Sequence, residues 1–218
     1  MSGSGSSGTN YVAQLLQRNR IAVTHDTYLG RDGIVTNACD GTEVWVYAFG
    51  RGERRDYVLL KMPVTEFERV VHLVRDPLKT IGSVHAKWQR FGRVWRHVTE
   101  TVPGIQSTDV TLATAARYWL VWNERLHDIA TSRVRFEDLL ADRAVLGEAI
   151  GRPLRRGLDE SVLVQSSGVA SYPTWDELAG LDSGLTTEIA ALARLYGYDS
   201  EIPLPHQPGP VADLPLHD

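Results

Sequence analysis

Cysteine, long apolar runs and excess positive charge are what this sequence has least of. The chain of 218 residues contains one cysteine, Cys39, so it cannot form an intramolecular disulfide, and we expect a reducing, cytoplasmic location. No apolar stretch reaches the length of a membrane span, and no signal-peptide pattern is present. The formal net charge of −4 gives no basic footprint for nucleic acid. We therefore expect neither a membrane span nor a nucleic-acid partner.

Metal ligands are also sparse, because the seven histidines are scattered and lack the close His, Cys or carboxylate spacing of a metal site. No metal is expected. The composition, with 43% hydrophobic and 23% charged residues, is that of an ordinary globular protein. One domain is predicted over residues 1–200. The tail at 201–218 contains repeated prolines and no periodic pattern, which predicts extended or disordered structure.

The first eight residues, MSGSGSSG, are rich in glycine and serine and lead directly into a helical pattern. Val12, Leu15 and Leu16 have the i, i+3, i+4 spacing of an amphipathic helix, which argues against a plain flexible linker. A glycine-rich turn that opens a helix forms an anion nest, since backbone N–H groups and the helix dipole converge there. The segment therefore predicts a site for a phosphate or a similar anion.

Two nucleotide-binding patterns overlap on this segment. Gly3, Gly5 and Gly8 satisfy G-x-G-x-x-G. Asp26 lies at about the distance of a ribose-binding acid, so a dinucleotide-binding, Rossmann-type oxidoreductase using NAD(P) is one alternative. The glycines also have the spacing of a phosphate-binding P-loop, but Thr9 occupies the position of the ATPase-type lysine, which argues against an ATP or GTP hydrolase. Both patterns normally follow a strand. Either a first strand precedes the loop outside this sequence, or the sheet does without it.

Several short apolar segments predict buried strands that end in charged residues. Residues 70–74 end at Arg75, and Pro77 suits the first turn of the next helix. Ligands bind at the carboxyl ends of strands in open α/β sheets, so Arg75 is a candidate phosphate ligand, with Ser83 about two turns into that helix. A salt-bridged helix start is the alternative for Arg75.

Two further strand ends carry candidate catalytic groups. Residues 21–24 are followed by His25 and Asp26, which are placed for proton transfer, although a loop in which Asp26 caps a turn is the alternative. Residues 57–60 end at Lys61, which would share the sheet edge of Arg75 if the two strands are neighbours.

The remaining periodic segments complete an alternation of strands and helices. Residues 108–130 form the longest helical pattern, 133–136 predict a short strand, 137–140 open a helix with acids in its first turn, and 188–196 form a final helix stopped by Gly197. Residues 29–56 predict a loop that contains one short apolar helix or strand at 44–49. The order of these elements permits an α/β fold with a parallel sheet.

Taken in order, these motifs resemble the P-loop-type sulfotransferase family, in particular its bacterial and phage-like members. These enzymes transfer a sulfuryl group from 3′-phosphoadenosine 5′-phosphosulfate (PAPS) to an acceptor hydroxyl or amine, which leaves PAP. Residues 3–11 are similar to the family's 5′-phosphosulfate loop, Gly-x-x-Arg/Lys-Ser-Gly-Thr, and residues 71–77 with Ser83 are similar to its 3′-phosphate motif. Residues 134–139 and 196–198 are similar to later family segments, so the resemblance covers nearly the whole chain up to Tyr198.

The resemblance implies a three-layer P-loop-type α/β fold with a central parallel sheet flanked by helices. It also implies PAPS as co-substrate and a small-molecule or glycan acceptor. The residues that it assigns to the nucleotide are Gly5, Ser6, Ser7, Gly8, Thr9, Asn10, Arg75 and Ser83. Related members often have a His-Glu pair after the second strand, and His25-Asp26 is similar to it. Asp26, or His25, is therefore the expected base for the acceptor proton.

One position departs from the family pattern. Ser6 stands where the family commonly has Arg or Lys, so a cation is missing beside the bridging oxygen that takes up charge as the bond breaks. Loss of such a donor typically costs about 100- to 1,000-fold in rate. Lys61, whose Lys-Met-Pro context resembles the family's Lys-x-Pro, is the expected replacement. If Lys61 does not reach the loop, a non-catalytic PAP- or nucleotide-binding protein is the alternative.

Overall fold

The structure is a computed structural model that describes residues 1–26, 30–49, 57–158 and 171–199, without the side chains of 47–49 and 57–60. It is a mixed α/β protein with short parallel strand pairs. The proline-rich tail predicted at 201–218 lies outside the described residues. None of the helices within the described ranges is long and apolar enough to cross a membrane.

The strands are short, and the longest helices follow the predicted apolar patterns. The strands are β1 (Val23–His25), β2 (Gly33–Val35), β3 (Glu43–Phe49), β4 (Tyr57–Pro63), β5 (Val71–Val74) and β6 (Ser132–Arg135). The helices are α1 (Thr9–Arg18), α2 (Pro77–Phe91), α3 (Arg96–Thr101), α4 (Leu112–Ile129), α5 (Phe136–Ala141), α6 (Ala144–Ile150), α7 (Trp175–Leu181) and α8 (Ser183–Leu195), with a 3₁₀ turn at Val64–Glu66.

Two parallel strand pairs, β1 with β2 and β5 with β6, are joined through Ser2. Ser2 forms parallel bridges to Thr36, just beyond β2, and to His72 in β5. The amide of Ser2 donates to the carbonyl oxygen of Val71 at 2.9 Å, and the amide of Thr36 donates to that of Met1 at 3.0 Å. The strands therefore follow the spatial order β1, β2, the segment around Ser2, β5, β6. The glycine loop begins where this central segment ends.

Apolar side chains cover both faces of these parallel strands, because successive residues of a strand point to opposite sides. Val71 and Leu73 of β5 belong to a core formed with α1, α5 and α6. Val74 belongs to a second core formed with α2, α4 and α8, and His72 reaches Asn123 of α4 on that side. Helices therefore pack against both sides of the parallel strands.

Strand β4, which leads to Lys61, does not pair with the strand that ends at Arg75. It pairs antiparallel with β3, with Trp45 opposite Lys61, in a sheet of its own. The expectation that residues 57–60 form a strand is confirmed. The condition for Lys61 to share the edge of Arg75, that the two strands are neighbours, is not met among the described strand pairs. The apolar patch at 44–49, left open between helix and strand, supplies its partner, and an antiparallel pair can close through a local connection.

The start of α2 matches the expectation from the sequence. Pro77 is the first helical residue, and the carboxylate of Asp76 accepts a hydrogen bond from the amide of Lys79 at 3.0 Å. An N-cap carboxylate stabilises a helix by satisfying one of its free amide groups, and proline lacks the amide that would otherwise be unpaired. This cap fixes the direction in which the chain leaves β5, and with it the position of Arg75.

Candidate functional site

The glycine loop has the backbone conformation of an anion nest. Ser6 and Gly8 have positive φ angles of 68° and 102°, and the amide of Ser7 donates to the carbonyl oxygen of Ser4 at 3.1 Å, closing a tight turn. A Cβ atom on Gly8 would lie 2.4 Å from the ring of Phe136, so a glycine is required there for both conformation and space. Alternating left-handed residues turn successive amide groups toward one concave side.

Several donors of this loop are unused. Gly8 provides no side-chain cap for α1. The main-chain N–H groups of Ser6, Gly8, Thr9 and Asn10 have no partner among the described residues. The hydroxyl oxygens of Ser6 and Ser7 are buried without a hydrogen-bond partner in that same part of the chain. Unpaired donors at a helix N-terminus form a ready site for an anion, which would satisfy them together.

An aromatic cluster fixes the middle of the loop. The amide of Gly5 donates to the hydroxyl oxygen of Tyr118 at 2.7 Å, and a Cβ atom on Gly5 would lie 2.2 Å from the ring of Trp95. Burial raises the pKa of Tyr118 well above its usual range, so its hydroxyl stays neutral. These two residues were not among the candidates from the sequence, because no motif links Gly5 to an α4 residue 113 positions away.

Arg75 reaches the glycine loop. Its Nη1 atom donates to the carbonyl oxygen of Ser6 at 3.0 Å, and its guanidinium lies 5.4 Å from the centre of the Phe136 ring. No carboxylate of the described residues forms an ion pair with it, so the salt-bridged alternative is not what is seen here. Ser83 is 3% exposed, and its hydroxyl has no partner in the described part of α2 and its neighbours. Unused donors of both residues remain available to an anion.

His25 and Asp26 form a pair beside the loop. The Nδ1 atom of His25 lies 3.2 Å from Oδ2 of Asp26, and its Nε2 atom lies 3.0 Å from the hydroxyl oxygen of Thr9. The other carboxylate oxygen of Asp26 accepts from the hydroxyl of Thr36 at 2.8 Å and from the amide of Asn37 at 3.0 Å. If Nδ1 carries the proton toward the carboxylate, the single lone pair of Nε2 accepts from the Thr9 hydroxyl beside the loop, and it becomes available to a substrate proton when that hydroxyl turns away.

Lys61 does not join this site. Its ammonium lies 3.3 Å from a carboxylate oxygen of Glu43 and 4.4 Å from the centre of the Trp45 ring. The Trp45 ring packs against His97, and His97 stacks on Trp95, the ring that lies against Gly5 of the loop. Three aromatic rings therefore lie along the path of contacts from this cation to Gly5, in keeping with the separate β3–β4 sheet on which Lys61 lies.

Lys87 is a cation near the site that the sequence reasoning missed. It lies on α2, one turn beyond Ser83, and is half-buried. Burial lowers its pKa, the nearby Arg75 lowers it further, and Asp26 acts in the opposite direction. Lys87 is therefore close enough to Arg75 and to Asp26 for both charges to act on it. The spacing of four from Ser83 on a predicted helix was the available signal.

The turn that carries Arg75 is anchored by Glu137. One carboxylate oxygen of Glu137 accepts from the amide of Asp76 at 3.2 Å, and the other accepts from the hydroxyl of Tyr198 at 2.7 Å. The guanidinium of Arg135 lies 4.4 Å from the centre of the Tyr198 ring. The segment after α8 thus supports the end of β5 through a single carboxylate.

Two other kinds of reactive group do not contribute here. Within the described residues, no group of three or more His, Cys, Asp or Glu side chains could hold a metal ion. Cys39 is buried in the core, and burial raises its pKa to about 11. A protonated, inaccessible thiol is not a nucleophile.

In comparisons with known proteins, no family model, curated protein or solved structure matches this chain significantly. The case for a function therefore rests on the geometry of the loop and of the side chains around it.

Proposed function

We propose that this protein is a PAPS-dependent sulfotransferase with a three-layer P-loop-type fold, acting on a hydroxyl or amine of a small molecule or glycan. One observation carries the proposal: the guanidinium of Arg75, at the end of β5, donates to the Ser6 carbonyl of the glycine loop. In that loop the amides of Ser6, Gly8, Thr9 and Asn10 have no partner among the described residues. Two anion-binding elements, from separate parts of the chain, thus meet at one place. A nucleotide with a 5′-phosphosulfate and a separate 3′-phosphate uses both.

The nucleotide would be held by groups that are already in position. The amides and hydroxyls of the loop surround the 5′-phosphosulfate, and Arg75 with Ser83 receives the 3′-phosphate. Because a transferred sulfuryl group resembles a phosphoryl group in spreading charge over its outer oxygens, catalysis depends mainly on positioning and fixed positive potential. The preformed, left-handed backbone at Ser6 and Gly8 supplies that positioning without rearrangement.

The transfer needs one proton acceptor, and His25 is the better candidate of the pair. The acceptor oxygen or nitrogen bonds to sulfur while the bond from sulfur to the bridging oxygen breaks. The electron pair of that bond stays on the 5′-phosphate of PAP. The Thr9 hydroxyl would turn from Nε2 of His25 to the bound anion, and the acceptor proton would then pass to that nitrogen. Asp26, bound through Thr36 and Asn37, holds the imidazole in the orientation that this step requires.

The order of strands argues against the dinucleotide-binding alternative. That fold places its strands in the order 3-2-1-4-5-6, with the ribose-binding acid about 20 residues beyond the glycine pattern, and its second strand beside the first. In this chain, β2 lies between the segment around Ser2 and β1, the strand that precedes Asp26. Asp26 is also occupied by hydrogen bonds to Thr36 and Asn37.

A PAP-binding protein without turnover is the second candidate, and one observation favours it. Ser6 provides no cation in the loop, and the ammonium of Lys61 is held by Glu43. Nucleotide binding and sulfuryl transfer are therefore separate predictions, and the binding step is the one to test first.

Thermal unfolding in the presence of nucleotides tests the binding step. PAP at 100 times its dissociation constant is expected to stabilise the protein by about 2.7 kcal/mol, whereas NADH is expected to have no effect. In Arg75→Ala, PAP binding should weaken by about 1.5 to 3 kcal/mol, as for the loss of a charged hydrogen bond. Isothermal titration calorimetry measures that difference directly.

Arg90→Ala is the matched control, because Arg90 is an exposed arginine in the last turn of α2. It should bind PAP as the wild type does. Stabilisation by NADH without stabilisation by PAP would refute the proposal in favour of the dinucleotide alternative. Equal PAP affinity in Arg75→Ala and the wild type would remove Arg75 from the site.

A further inference from the structure

The loop lacks a cation at Ser6, and Lys61 does not supply one, so the charge on a transferred sulfuryl group needs another partner. Lys87 approaches from α2. The side chain of Trp88, its neighbour, packs with ring centres 5.7 Å from Trp95 and 5.6 Å from Tyr118. Those are the two residues that contact Gly5, so this turn of α2 packs against the support of the loop.

The surroundings of Lys87 are unusual for a lysine. Its ammonium forms no hydrogen bond or ion pair with any group in the described part of the chain. Burial lowers its pKa, and Arg75 lowers it further while Asp26 opposes the change. A partly buried ammonium that also feels a nearby guanidinium is unfavourable for folding unless anions offset the two charges. Among the described residues, Asp26 acts on this charge but no carboxylate pairs with it directly.

We propose that Lys87 binds the 5′-phosphosulfate of PAPS and supplies the positive charge that the loop lacks at Ser6. This assignment rests on the proposed function. The ammonium of Lys87 would lie against the bridging oxygen, which receives the electron pair of the breaking sulfur–oxygen bond. Its place one turn beyond Ser83 lets α2 serve both ends of the nucleotide, with Ser83 at the 3′-phosphate and Lys87 at the 5′ end.

Binding of three nucleotides distinguishes the 5′ end of the site from the 3′ end, and this test does not require the acceptor to be known. PAP has both phosphates, adenosine 5′-phosphosulfate lacks the 3′-phosphate, and adenosine 3′-phosphate lacks the 5′ group. In Lys87→Met, which removes the charge and keeps a flexible apolar chain, affinity for the first two should fall about 10- to 100-fold. Affinity for adenosine 3′-phosphate should change less than about threefold. Calorimetric titration of the folded variants gives all three values.

Lys79→Met is the matched control, since Lys79 is an exposed lysine two turns earlier on α2. It should bind all three nucleotides as the wild type does, and Lys87→Arg should retain most of the affinity. Unchanged binding of adenosine 5′-phosphosulfate in Lys87→Met would refute the assignment, as would a loss confined to adenosine 3′-phosphate. If the wild-type protein binds none of the three nucleotides, the proposed function fails, and the assignment fails with it.

Discussion

His25 and Asp26 have different parts in the expected proton transfer, because only His25 points a nitrogen at the loop. Its Nε2 atom lies 3.0 Å from the Thr9 hydroxyl, whereas both carboxylate oxygens of Asp26 are engaged elsewhere. An imidazole whose other nitrogen donates to a carboxylate is held in one tautomer. In the proposed reaction, the carboxylate would therefore orient the imidazole, and the imidazole would be the base.

Asp26→Asn tests that division of roles. Asp26 has a φ angle of 56°, a left-handed conformation that asparagine tolerates, so the variant should fold normally. The amide nitrogen of the new asparagine would donate a hydrogen bond to Nδ1 of His25. The imidazole would then carry its proton on Nε2, so Nε2 could not take a proton from the acceptor. Turnover of labelled PAPS with a panel of sugars, phenols, amines and lipids should fall at least about 100-fold, with PAP affinity retained.

His25→Ala is the companion variant and should lose turnover to a similar or greater extent. Both variants should give the same PAP titration as the wild type, which separates catalysis from binding. Full turnover in both would show that the base lies elsewhere in the site.

The residues of the site were predictable only where a local pattern identified them. The glycine spacing predicts the loop, and a strand end followed by proline predicts Arg75, because both depend on neighbours in sequence. Tyr118 and Trp95 contact Gly5 across long sequence separations, and no spacing rule reports such contacts. The position of Lys61 could be given only conditionally for the same reason, since it depends on which strand β4 pairs with.

Gly8 packs against Phe136 of α5, so its replacement should affect both the stability of the protein and the shape of the loop. Gly8→Ala combines a φ angle of 102° with a Cβ contact of 2.4 Å to the Phe136 ring. We expect a loss of about 1 to 3 kcal/mol in the free energy of unfolding. Urea denaturation measures the loss. PAP affinity should also fall, since the ring or the loop must move.

Gly92→Ala is a suitable control for this substitution. Gly92 ends α2 with a φ angle of 65°, and a Cβ atom there would meet nothing within 4 Å. It should therefore cost only the backbone strain, about 1 kcal/mol, and leave PAP affinity unchanged. Equal effects of the two substitutions on stability and binding would show that the contact with Phe136 is unimportant.

Elements with a strong period, a clear cap or an apolar run before a charged residue were predicted well, whereas β2, the segment around Ser2 and the pairing of β4 were not. Helix α2 was expected because Asp76 and Pro77 give a cap and a first turn in consecutive residues. Strand β2 has three residues, and the segment around Ser2 pairs with its neighbouring strands through Ser2. Both are too short to show a periodic pattern of apolar residues. The pairing of β4 with β3 depends on a partner that periodicity does not identify.

Across the whole molecule, the candidate site residues lie at one edge of the parallel strands, because parallel strands end on the same side. The segment around Ser2, β5 and β1 end at the glycine loop, at Arg75 and at His25-Asp26, respectively. The cores on both sides of these strands keep those ends in fixed positions. A rigid frame of this kind supplies the preorganisation on which group transfer depends.

Those cores also contain two histidines, which predict sensitivity of the fold to acid. Burial lowers the pKa of His72 and of His97 to about 3, from a usual value of 6.5. Between pH 3 and pH 6.5 the unfolded chain therefore binds more protons than the folded one. The free energy of unfolding should fall as pH drops through this range, by at most about 1.4 kcal/mol per pH unit for each histidine.

Urea denaturation at a series of pH values checks this dependence. In His72→Leu, stability near neutral pH should be lower, because Asn123 loses its 2.9 Å hydrogen bond to the imidazole. The slope against pH should nevertheless be shallower, since one titrating group has been removed. An unchanged slope would show that His72 is not the source of the acid sensitivity.

The contact between Trp95 and Gly5 also has a spectroscopic consequence. The indole of Trp95 is half-buried against the backbone of the loop, so a nucleotide that enters the loop changes the polarity around this ring. Indole emission responds in wavelength and intensity to such a change, so the protein contains its own fluorophore beside the proposed site. The rates at which a nucleotide arrives and leaves are therefore open to stopped-flow measurement on the unlabelled chain.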